Sequence, residues 1–205
     1  VTEHEWLNCT EPTEMLEFLR EKVSVRRLTL FAVAACRQDQ WLMEDKRSRQ
    51  AVEWAEKIVE GVANWGVEEG PSDGDCYLMA GAANRCMGVA GCLADRDTAR
   101  AIENALTVVE LLLEGEEESS QLAVLIHDVF GNPFRRVTEN PAWLTTTVVA
   151  LAKGIYADRA FDRLPILADA LQDAGCDNAD ILNHCRSEAP HVRGCWVVDL
   201  LLGKE

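Results

Sequence analysis

Apolar residues recur along this chain at three- and four-residue spacing, stretch after stretch, and no stretch of useful length alternates with period two. A 3.6-residue period turns one face of a helix toward a core, whereas a half-buried strand needs strict alternation. The pattern predicts an all-α fold of about ten helices, in a helical bundle or an irregular array of helix pairs. Pro12 opens a first helix with Met15, Leu16, Phe18 and Leu19 on one side, since proline suits the first helical position. Ser24 caps a second, Val25 to about Gln38, whose nearly continuous apolar content places it at the centre. Residues from Glu44 to about Asn64 repeat Ala51, Trp54, Ala55, Ile58, Val59 and Val62 against a charged face.

Further on, residues 65–74 hold three glycines and Pro71 and read as a loop, with Ser72 or Asp73 capping a small-residue helix over about 75–93. An amphipathic helix covers about 95–113. The run Glu-Gly-Glu-Glu-Glu-Ser-Ser at 114–120 then reads as a solvated acidic linker. The chain is thus one α-helical domain over 1–205, or two packed halves, 1–113 and 121–205, joined at that linker. In the second half, helices are expected over 121–130, from Pro141 to about Ala157, and from Phe161 to Ala174 with Gly175 as the stop. Asp177 or Asn178 opens a short helix to Cys185, and a last one runs from about Cys195 to Leu202. Its Trp196, Val197, Leu200 and Leu201 form an apolar face expected to dock, with Trp196 buried, on the helix bearing Ile166, Leu167 and Leu171.

Composition narrows the function classes. An apolar share of 48% with 27% charged residues is ordinary for a folded chain. No apolar run approaches the roughly 20 residues that span a bilayer, so no membrane association is expected. The acidic N-terminus, Val-Thr-Glu-His-Glu-Trp, lacks the basic-then-apolar pattern of a secretion signal. A cytoplasmic protein with its eight cysteines reduced is the expectation. A net charge of −15 repels phosphate backbones, so nucleic acid is excluded as a partner and a protein partner, a basic one, is favoured.

Chemistry-bearing residues concentrate near the C-terminus: Cys176, His184, Cys185, His191 and Cys195. Thiolate and imidazole are zinc donors, and Cys176, Cys185, His191 and Cys195 form the candidate metal set. The spacing lacks the paired Cys-x2–4-Cys knuckle of zinc fingers and ribbons, and adjacent His184 and Cys185 diverge by about 100° on a helix. The first reading is therefore structural and cofactor-free, with Cys185 and Cys195 in the core, His184 exposed and His191 ordering a turn. Zinc ligation is the alternative. A second candidate group is His127 with Arg135 and Arg136, a base and two oxyanion-binding guanidiniums near a helix end. No nucleophile elbow, phosphate loop or zinc-protease motif accompanies it. Arg26, Arg27 and Arg37 make a small basic patch that binds an anion or pairs with the glutamates of the first helix. Trp6 and Trp41, near loops, are the tryptophans best placed for surface contacts.

Three strings, Phe130-Gly-Asn-Pro-Phe-Arg135, Arg159-Ala-Phe-Asp-Arg-Leu-Pro-Ile-Leu-Ala-Asp-Ala170 and His191-Val-Arg-Gly-Cys-Trp-Val-Val-Asp-Leu200, together with Glu5-Trp-Leu-x-Cys-Thr10 and Met15-Leu-Glu-Phe-Leu-Arg20, carry a resemblance. The chain resembles a family of uncharacterised bacterial proteins plentiful in planctomycetes, over roughly residues 1–60 and 121–205. The resemblance implies an all-helical fold and no particular reaction, ligand or catalytic residue. Relatives often carry a Cys-Cys pair where this chain has Ala35-Cys36, and His127 lies outside the resembling strings. The function expected from the sequence is a non-catalytic, cytoplasmic adaptor or regulatory protein. The alternatives are a metal-binding protein or enzyme using the terminal Cys/His cluster, and a small-ligand binder near the 130–136 loop.

Overall fold

The computed structural model describes residues 1–20, 22–63, 81–92, 97–113 and 116–204. Among them it is all-α, with 12 α-helices, two short 3-10 helices and no strand. In chain order the α-helices are α1 (Glu3–Asn8), α2 (Pro12–Leu19), α3 (Val25–Gln38), α4 (Gln40–Glu44), α5 (Lys46–Val59), α6 (Gly81–Gly91), α7 (Thr98–Leu112), α8 (Glu116–Phe130), α9 (Thr146–Asp158), α10 (Leu164–Asp173), α11 (Ala179–Cys185) and α12 (Trp196–Leu202). No helix among the described residues is long and apolar enough to cross a membrane. The 65–74 loop, Trp65, Cys76 and the start of the small-residue helix lie outside the described residues.

The chain divides into two units, Val1–His127 and Asp128–Glu205. The division does not fall in the acidic run, and from Glu116 onward that run is not a linker. Glu116, Glu117 and Glu118 form the first turn of α8, where negative charge meets the positive end of the helix dipole.

In the first unit α3 is central, as its sequence implies, and packs against α5, α6 and α7, with α2 on α7. Ser24 Oγ accepts the Arg27 N–H and starts it. Thr29, buried among aliphatics, donates its hydroxyl to the Val25 carbonyl at 2.8 Å, so no polar group is stranded. The helix expected over 44–64 is α5, which begins at Lys46 because Asp45 turns extended and its carboxylate accepts the Ser48 N–H; the short α4 precedes it as a separate helix. In the basic patch, Arg37 reaches Glu56 of α5 at 2.7 Å and Arg26 reaches Glu60, just past its end, at 3.6 Å.

In the second unit α9 packs on α10, α10 on α11, α11 on α12, and α12 back on α9. Val148, Ile155, Leu164, Leu167, Leu171, Ile181, Val197 and Leu201 fill the space within this ring. The helix expected from Pro141 is interrupted: Asn140 caps a 3-10 turn, Pro141–Trp143, and Thr145 then caps α9 through the Val148 N–H. The last helix also docks differently from expectation. Its main neighbour is α9, Trp196 is only partly buried, and Ile166 is 56% exposed. Leu164, at the start of α10, takes the inward place that Ile166 was expected to fill.

Gly131 leaves α8 at φ +66°, and a Cβ there would meet Trp196 Cγ at 3.1 Å. Both effects oppose any larger residue. Gly131→Ala should cost about 1–2 kcal/mol for the left-handed backbone alone, with a further loss as the indole gives way. Urea unfolding checks this, and an unshifted midpoint would show the contact to be without consequence.

Candidate metal centre

Four side chains of the second unit bring one metal-ligating atom each to a common point: Asp128, His184, His191 and Cys195, all within 4.8 Å of one another. They come from two helices and from the non-helical segment between α11 and α12. Asp128 lies in the last turn of α8, His184 in the last turn of α11, His191 in the segment that follows, and Cys195 at the N-cap position of α12. Asn178 starts α11 by accepting the Ile181 N–H, and its register sets His184 toward the cluster.

Asp128 is the hub. Its Oδ1 lies 2.6 Å from His191 Nδ1 and 3.1 Å from His184 Nε2, while Oδ2 accepts the Val192 N–H at 2.8 Å. His184 Nε2 is also 3.2 Å from Cys195 Sγ. The far nitrogen of His191, Nε2, sits 3.2 Å from Ser187 Oγ, which orients that ring. The two imidazoles meet edge to face with centroids 4.8 Å apart, and Trp196 stacks at a tilt on His184 at 5.2 Å. Asp128 is 2% exposed and Cys195 fully buried, and the His184 side chain keeps only 16% of its surface.

Burial by itself would raise the Asp128 carboxyl, but hydrogen bonds from His184 and His191 outweigh it and hold the group below the ordinary carboxylate range. Cys195 is pushed well above the usual thiol range, first by burial and then by the Asp128 charge, against a smaller pull from the Val198 and Val197 amides. A thiol held protonated and out of water is a poor nucleophile. Nor do the contacts form a relay. In a nucleophile–His–Asp triad the carboxylate holds one ring nitrogen and the nucleophile faces the other, whereas here Asp128 and Cys195 face the same His184 Nε2. Atoms crowding one nitrogen from several sides suit a shared cation better than a proton relay.

The donor chemistry fits zinc, which takes cysteine sulfur, histidine nitrogen and carboxylate oxygen in a tetrahedron. Zinc–ligand lengths of about 2.0–2.3 Å imply ligand–ligand edges of about 3.3–3.5 Å. The His184 edges to Asp128 and Cys195, 3.1 and 3.2 Å, are close to this. The 2.6 Å His191–Asp128 contact would have to open by about 0.7 Å.

Of the four metal candidates named from the sequence, His191 and Cys195 join the cluster, and Cys176 and Cys185 do not. Cys185 follows His184, so it points about 100° away, into the core, where burial pushes its thiol up to about 12. Cys176 is buried in the turn closed by Gly175, its N–H bonded to the Leu171 carbonyl at 2.9 Å, and burial raises its thiol too. His184, expected to be exposed, is a member, and so is Asp128, named only as the neighbour of His127. Asp128 had a readable signal: a lone carboxylate on the helix face shared by Leu125 and Val129, where an unpaired charge is costly.

The anion-binding candidates do not gather. His127 belongs to the first unit, edge-on to Trp6 at 5.5 Å, and burial lowers its pKa. In the second unit Arg135 pairs with Asp180 at 3.2 Å, and Arg136 is exposed. The seven described cysteines are free thiols.

The second unit thus presents a buried, closed Asp-His-His-Cys cluster on a four-helix ring. No protein-family model, curated protein or solved structure matches the chain.

Proposed function

We propose that the protein is a zinc-binding protein whose ion is held by Asp128 Oδ1, His184 Nε2, His191 Nδ1 and Cys195 Sγ. The observation that carries this reading is the convergence of four donor atoms of zinc-preferred types within 4.8 Å. Four protein donors close a tetrahedral shell and leave no position for a water or substrate, which is the arrangement of structural sites. The ion would tie the non-helical segment 186–195 and the start of α12 to the end of α8. On this reading the protein is a non-catalytic binding protein, and its charge of −15 favours protein partners over nucleic acid. Kinship with the planctomycete family belongs to the same proposal, since the His191–Leu200 string carries two of the four donors.

Cobalt substitution tests the assignment. Metal-free protein titrated with Co²⁺ should develop the visible bands of a tetrahedral ion and a thiolate-to-cobalt charge-transfer band, saturating at one equivalent. Cys195→Ser should lose the charge-transfer band, while Cys176→Ser and Cys185→Ser keep it. Absence of the bands in the native protein, or their survival in Cys195→Ser, would sink the proposal.

A further inference from the structure

In the first unit, a groove of about 400 Å³ runs between α4, the start of α6 and the end of α7. Leu42 and Leu112, both buried, form its floor, and its rim carries Trp41 and Leu111, which are 85% and 52% exposed. Trp41 is the most exposed of the large apolar side chains among the described residues. Leaving an indole in water forgoes a large burial gain, and here no fold requirement explains it, because α4 is anchored through Leu42 instead.

The charged part of the lining is anionic only. Asp39 and Asp45 bracket α4 at its two ends, and each is fixed by a backbone donor: the Leu42 N–H on Asp39 Oδ1 at 2.9 Å and the Ser48 N–H on Asp45 Oδ2 at 2.8 Å. Asp39 keeps its second carboxylate oxygen to accept from a ligand, whereas Asp45 also accepts from the Ser48 side chain and the Arg47 amide and contributes its negative charge. The nearby bases belong to α5 and do not line the groove. Arg49 is turned onto the Met43 carbonyl at 2.8 Å, and Arg47 contributes to holding Asp45 ionised after the Ser48 hydrogen bonds.

We propose that this groove receives a segment of a partner protein presenting a large apolar side chain beside lysine or arginine. The apolar residue fills the space over Leu42 and Leu112. The cation lies against the Trp41 face and one of the two fixed carboxylates, where cation–π and charge-assisted contacts act together. The chain's net charge of −15 attracts such a partner from a distance and repels acidic ones. The groove lies apart from the ion-binding cluster in sequence and unit, so this inference stands or falls independently of the zinc assignment.

The test uses the full chain and a labelled synthetic helical peptide of leucine and lysine, with a matched leucine–glutamate peptide as control. Binding of the lysine peptide should be one-to-one and should weaken with added salt. Trp41→Ala should weaken it about tenfold or more, as for an aromatic anchor. The double variant Asp39→Asn, Asp45→Asn should weaken it several-fold and flatten the salt dependence. Asparagine caps helices as well as aspartate does, and Trp41 is outside the core, so circular dichroism should show both variants folded. Failure of the lysine peptide to bind, equal binding to Trp41→Ala, or equal binding of the glutamate peptide would each overturn the proposal. Concentration-dependent self-association abolished by Trp41→Ala would overturn it too, making a second copy of the chain the occupant.

Discussion

Zinc-loaded protein treated with a strong chelator should melt far below the untreated protein, through the transition of the second unit. A ligand that binds only the folded state stabilises it by about 4 kcal/mol at a thousand times its Kd. For a domain of this size each kcal/mol moves the midpoint by roughly 4–8 °C, so a shift on the order of 15–30 °C is expected. The segment 186–195 should respond first, because it holds His191 and Cys195 and carries no helix of its own. Limited proteolysis should therefore cut there after chelation and spare it when zinc is restored. A midpoint indifferent to the chelator, with no metal released, would return the cluster to a purely hydrogen-bonded role.

Asp128→Ala should be the most damaging single substitution in the cluster, even in metal-free protein. Removing one partner from a buried charged network costs about 3–5 kcal/mol, and here the loss strands His191 Nδ1 and the Val192 N–H and leaves His184 Nε2 only the Cys195 sulfur. Asp128→Asn should fall between, since an amide can still accept the Val192 N–H, yet it should abolish tight metal binding. The pH dependence follows from the same carboxylate. Its folded pKa lies below the ordinary 3.8, so its contribution is complete above that value and is lost as pH falls through the lower one. Metal-free wild type should therefore lose more stability below about pH 4 than Asp128→Asn does. A cost under about 1 kcal/mol for Asp128→Ala, the range of an exposed pair, would contradict the network's importance.

Much of the fold could be read from local pattern. Ser24, Asn140 and Asn178 cap where the sequence suggests, Gly175 and Gly203 stop their helices in the left-handed region, and α3 is central. The misreadings occur where a short polar side chain outweighed the apolar period. Thr145 accepts a backbone N–H three residues on and splits what the stripe presented as one helix from Pro141. The acidic run at 116–118 belongs to the same class, a charge pattern that suits both solvent and a helix N-terminus.

The candidate centre was half visible. His191 and Cys195 stood out because soft ligands are few and these lie close together in sequence. Cys176 and Cys185 stood out for the same reason and proved to be core residues, since a buried thiol and a ligating thiol look alike in a string of letters.

Local physics alone determined that this chain is helical, where most of its helices start and stop, and which face of most of them turns inward, because those depend on neighbours three or four residues away. Only the tertiary structure decided that Asp128 meets His191 across 63 residues of sequence and Val192 across 64. It also decided that His184, and not Cys185, turns toward Cys195. The reason is geometric. Period and capping specify the inward face of a helix but not which other helix that face will meet, and the donor atoms come from α8, from α11 and from the segment before α12, which only the packing of the second unit brings together.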